Sequence, residues 1–149
     1  ESGELDARAR SWLHANCAHC HQPGGGGGTT GLVLRIDETE PTKLGICKSP
    51  VAAGSAAGNL PADIVPGHPE QSVMVRRIMS TDPEIKMPEL PNRLVDEPGA
   101  ELIKSWIAAM EPKGCGSEAQ GGAGGQAGAG GQGGAATGGQ GGTGGSGGR

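Results

Sequence analysis

The chain has 149 residues, and the stretch Gly121–Arg149 holds 17 glycines in 29 positions with no large apolar side chain. Such a stretch cannot build a core, so the folding unit is expected at residues 1–115, with 116–149 a disordered Gly-rich tail or linker. Twelve basic against sixteen acidic residues give a net charge of -4 with no basic patch, which excludes nucleic acid as a partner, and no apolar run reaches the ~18 residues of a membrane span. Phe and Tyr are absent and Trp12 and Trp106 are the only aromatic residues. A domain this small and this poor in bulky core filling needs a staple, or a large buried prosthetic group. The chain starts at Glu1 without an initiator Met or signal peptide, as a mature or excised product does.

In chain order, Leu5, Ala9, Trp12 and Leu13 fall on one stripe at spacings of three and four, which predicts an amphipathic N-terminal helix over 5–15. It runs into Cys17-Ala18-His19-Cys20-His21-Gln22-Pro23 and is broken by Gly24–Gly28, so the cysteine motif is expected at a helix C-terminus. Leu32, Leu34 and Ile36 alternate in a short extended segment too brief to anchor a sheet. Residues 40–66 are rich in Pro, Gly, Ala and Ser and predict a long ordered loop containing Cys47. Pro69 at a first helical position, followed by Glu70, predicts a short helix over 69–79. The prolines of 82–91 hold the next segment extended. A last amphipathic helix, over 97–110, carries Leu102, Ile103, Trp106 and Met110 on one face.

Cys17-x-x-Cys20-His21 is the strongest chemical signal. Two thiols at this spacing reach both vinyl groups of a haem, and the adjacent imidazole reaches the iron, which is the c-type haem attachment pattern. One covalent haem c is therefore the expected cofactor, with Cys17 and Cys20 as thioether links and His21 as the proximal iron ligand. The second ring nitrogen of His21 needs a partner to orient it, and the Pro23 carbonyl is the nearest candidate in sequence.

The order of helix, Cys-x-x-Cys-His, long loop, middle helix, Met-Pro and aromatic C-terminal helix resembles the small mono-haem cytochrome c family over Leu5 to Met110. It is most similar to modules often fused to larger extracytoplasmic enzymes, on the text Gly31–Arg35, Ile64–Ser72, Met87-Pro88 and Trp106-Ile107; His68 departs from it, standing where an Asp is more usual. The resemblance implies a mainly α, class I-like cytochrome c fold. Its N- and C-terminal helices would pack around a covalent haem, with long loops and at most a short β segment. It implies Met87 as the distal iron ligand, the alternative being a loop methionine packed on the haem edge. A His and Met pair favours electron transfer over oxygen chemistry.

Other residues have plainer roles. Met74, Met79 and Met110 read as core. His14 reads as solvated, His19 as an inert residue of the attachment loop, and His68 as a helix cap or an alternative to Met87 as ligand. Arg35 and Arg77 are candidates to neutralise a haem propionate, each also readable as an ordinary surface arginine. Cys47 and Cys115 are candidates for a disulfide, since haem c is attached on the oxidising side of a membrane; unpaired thiols or pairing to another chain is the alternative. The expected function is one-electron transfer without catalysis of its own. Partners would be redox proteins or a fused catalytic domain served as a relay, the location periplasmic or otherwise extracytoplasmic, and the tail a possible tether spanning about 30 Å. A zinc-stapled interaction module using these cysteines and histidines is the remote alternative, although the chain lacks a second close ligand pair. A thioredoxin-like dithiol lacks the surrounding strand-helix-strand unit.

Overall fold

The computed structural model describes residues 2–89 and 94–115. The chain divides into two units, Glu1–Glu118 and Ala119–Arg149, and every described residue lies in the first. The expected Gly-rich tail, 116–149, lies outside the described residues, as does the end of the proline-rich loop.

The described chain is mainly helical. Helix α1 spans Ser2–Cys17, α2 spans Val73–Met79 and α3 spans Glu97–Ala108, with short 3-10 turns at Gly28–Thr30, Gly54–Ala57 and Pro69–Gln71. No strand forms among the described residues; extended pairing is limited to the isolated parallel bridges Ile46 with Ile64 and Ala62 with Ser72.

The core lies where the three helices meet. Ala9 and Leu13 come from α1, Val75 and Ile78 from α2, and Ala100, Ile103, Trp106 and Ile107 from α3, with Leu34 and Ile64 added from the loops. Each large aliphatic side chain buried this completely stabilises by roughly 1.5–3 kcal/mol. The α1 stripe is therefore as expected, with Leu5 and Trp12 packed at its margin. On α3 Ala100, Ile103 and Ile107 are fully buried, Trp106 is buried, and Leu102 and Met110 are only partly covered.

The two outer helices cross closely. At Gly99 an added Cβ would overlap the Trp12 indole, so the crossing requires a residue without one. Each tryptophan then reaches a carboxylate on the other side of the crossing. Trp12 Nε1 donates to Asp96 Oδ2 at 3.0 Å, and Trp106 Nε1 donates to Asp6 Oδ1 at 2.8 Å. Asp96 also caps α3 by accepting from Gly99 N at 3.1 Å. The buried Trp106 indole needs a partner for its N–H, and Asp6 supplies it.

The middle helix is shorter than the sequence predicts. Ser72 is fully buried in extended backbone, its Oγ accepting from Val65 N at 2.8 Å and donating to the His68 carbonyl at 3.0 Å. Val73 N donates to the Ala62 carbonyl. This pairing with the long loop divides the expected 69–79 helix into a 3-10 turn and α2. His68 gives no side-chain cap; its Nδ1 lies 3.4 Å from Glu70 Oε1.

Cys47 and Cys115 form a disulfide across a sequence separation of 68, with Cα atoms 5.0 Å apart. It joins the long loop to the segment after α3. Beside it, Lys48 and Asp63 make a mostly buried ion pair at 3.2 Å. Burial raises the Asp63 carboxyl above its usual range, and Lys48 opposes that shift.

Candidate functional site

Helix α1 ends at Cys17, and the motif continues as tight turns: Cys20 N and His21 N both donate to the Cys17 carbonyl, at 3.1 and 2.8 Å. The glycine run folds back onto this turn. Gly27 N donates to the Cys20 carbonyl at 3.0 Å, and a Cβ at Gly27 would stand 2.9 Å from the His21 ring. From behind, the Leu32–Ile36 segment crosses so that Leu34 N donates to the His21 carbonyl at 2.9 Å. Leu34 is buried, whereas Ile36 is exposed, so the alternation predicted there holds only in part.

The orientation of His21 departs from expectation. Its Nδ1 lies 3.2 Å from Thr30 Oγ1, and the Pro23 carbonyl is not its partner. Thr30 Oγ1 donates its own proton to the Gly27 carbonyl at 2.7 Å and accepts from Leu32 N at 3.2 Å. With that hydroxyl proton committed, the Nδ1–H of His21 is the donor, and the Nε2 lone pair is left unprotonated on the opposite side of the ring. Burial, then the nearby positive charge of Arg77, lowers the His21 pKa and keeps the ring neutral. Nothing in the sequence marks Thr30 for this role, which arises only where the glycine run folds back onto the motif.

Three cavities meet around Met87. The outer one, of about 290 Å³, is lined by Asn16, Cys17, His19, Cys20, His21, Met87 and Glu89 among others. A smaller inner one, of about 60 Å³, has apolar walls of Leu13, Leu32, Leu34, Val73 and Ile78 and again includes Cys17, His21 and Met87. The third, of about 190 Å³, lies between Trp12, Lys86, Met87 and Pro88. His21, Cys17 and Met87 thus stand between the outer and inner cavities. His19, expected to be inert, lines the outer one.

Two other expected residues divide. Arg35 is exposed, bound to Asp37 at 2.9 Å, and lines none of the three cavities, which corrects its expected place at the site. Arg77 does line the inner cavity, and burial lowers its pKa. Its Nε donates to the Ile85 carbonyl at 2.8 Å, so it also holds the loop that carries Met87. The thiols of Cys17 and Cys20 are free. Burial, assisted by Cys20, pushes the Cys17 pKa up to about 12, so this thiol is protonated at neutral pH and is a poor nucleophile.

The structure corrects the expectation of one covalent haem c. Among the described residues, no group of three or more His, Cys, Asp or Glu side chains is placed to hold a metal ion. His21 is the one imidazole on the inner cavity, and the donor that shares that cavity from the Met-Pro loop is a thioether. Cys47 and Cys115, joined to each other, are not available to the zinc site considered as the remote alternative. Among the described residues no helix is long and apolar enough to cross a membrane. In comparisons with protein-family models, curated proteins and solved structures, nothing matches this chain.

Proposed function

We propose that the folded unit is a one-electron transfer module with the architecture that the cytochrome c resemblance implies. In this reading it takes an electron from a redox protein partner, or from a fused catalytic domain, at the cleft between the Cys17–His21 loop and the Met87-Pro88 loop. The observation that carries the proposal is the chemistry of that cleft. A neutral imidazole with a free Nε2 lone pair and the Met87 thioether line the same two cavities, beside the Cys17 thiol and against apolar walls. Such a site offers soft nitrogen and sulfur donors, with the charged Arg77 and Asp63 beside them on the inner cavity.

The contacts also speak against hydrolytic chemistry. Neither free cysteine is hydrogen-bonded to His21 among the described contacts, and Cys17 is held protonated, so the activated Cys and His pair of a nucleophilic enzyme is missing. The Cys47–Cys115 disulfide supports an oxidising, extracytoplasmic compartment such as the periplasm.

The test is a coulometric titration with visible spectra and intact mass, on protein isolated from an oxidising compartment. The expected result is uptake of one electron per chain beyond the two of the disulfide, at a potential shifted in His21→Ala and Met87→Ala. A chain that takes up only the two electrons of its disulfide overturns the proposal.

A further inference from the structure

Lys86 is 2 % exposed, in a loop whose other charged residues face solvent. Burying an ammonium group is costly unless it is paired or well hydrogen-bonded. Its Nζ donates to the Ile78 carbonyl at 3.1 Å. Ile78 lies in the last turn of α2, where carbonyls lack partners within the helix and the helix dipole favours a cation. Two further bonds join the same pieces of chain: Met87 N donates to the Arg77 carbonyl at 3.0 Å, and Arg77 Nε to the Ile85 carbonyl at 2.8 Å. The side chain of Ile78 is itself core.

We propose that Lys86 is the positioning residue for Met87: the buried ammonium, tied to the end of α2, fixes the Met87 loop to the helical core and so holds the thioether at the cleft. The role rests on the reading of that cleft as the redox site. It differs from the part played by Arg77, whose guanidinium reaches the loop one residue before Lys86 and also faces the inner cavity. Lys86 lines neither the outer nor the inner cavity; it borders the third, beside Met87 and Pro88, and so reaches the cleft through the Met87 loop.

The test uses the four methionines as reporters of their own exposure. The full chain and its Lys86→Leu and Lys86→Arg variants are treated with dilute hydrogen peroxide, and sulfoxide at Met74, Met79, Met87 and Met110 is followed by peptide mass. Losing a charge-assisted bond should raise the open population of the loop, and with it the Met87 oxidation rate, on the order of tenfold. The other three rates should stay as they are, and arginine should restore most of the protection. Lys86→Gln, which keeps a donor without the charge, carries the same measurement if the leucine variant does not fold. An unchanged Met87 rate overturns the proposal, and so does an equal rise at all four methionines, which marks general loosening. Oxidation is read on the polypeptide, so this result stands apart from the electron titration that tests the function.

Discussion

The crossing of α1 and α3 and the cleft beside it are built by different means. At the crossing, side chains bury one another: Leu13, Ile103 and Ile107 fill the space, Gly99 lets the helices approach, and the two indole N–H groups each find a carboxylate. At the cleft, side chains reach for backbone. Thr30 binds the Gly27 carbonyl, Arg77 the Ile85 carbonyl and Lys86 the Ile78 carbonyl. Packing of an amphipathic face is broad and tolerant, whereas a side chain bonded to one carbonyl sets one position. The first kind of contact makes the scaffold stable; the second places His21 and Met87.

That contrast can be broken at its strongest link first. The Cys47–Cys115 disulfide closes a 68-residue separation, and replacing both cysteines by serine should lower stability by about 4 kcal/mol, read as a lower urea midpoint. A midpoint unchanged by the double replacement would show that the long loop is held without the staple. At the crossing, Gly99→Ala should cost about 2 kcal/mol, because the methyl group overlaps the Trp12 indole and the helices must separate. If the alanine protein is as stable as the parent, the close approach of α1 to α3 is wrong.

The smallest effect belongs to the cleft. Thr30→Val should cost about 1 kcal/mol and free the His21 ring to exchange tautomers, seen as a change in its nitrogen chemical shifts. The parent protein has a pH signature here as well. The His21 pKa is lowered in the folded state, so the unfolded chain binds the proton more readily. The stability this contributes is present above the ordinary value of 6.5 and is lost as the pH falls from there through the lowered folded value. A His21→Gln protein should lack that part of the pH dependence. A stability profile identical in the two proteins would place His21 in water.

Much of the scaffold is legible in the residues themselves. The α1 stripe of Ala9 and Leu13, the end of that helix at the cysteine motif, and the apolar face of α3 all follow from periods of three and four and from a glycine run that no helix tolerates. Less of the cleft is legible. Cys17, Cys20, His21 and Met87 line one cavity, whereas Arg35 is engaged by Asp37 and His68 by Glu70. Contacts of this kind, at 2.9 and 3.4 Å, depend on how the loop turns each side chain, and spacing along the chain does not supply that.

By itself the sequence determined the outer helices and the place of the Cys-x-x-Cys-His motif at the end of the first. These depend on neighbours within a turn or two. Tertiary structure alone decided that Ser72 would pair with the long loop and shorten α2, that the Thr30 hydroxyl would hold the His21 ring, and that Lys86 would be buried against the end of α2. Each of those outcomes joins residues distant in sequence or turned by a loop, and each depends on the requirement that a buried polar group find a partner wherever the fold provides one.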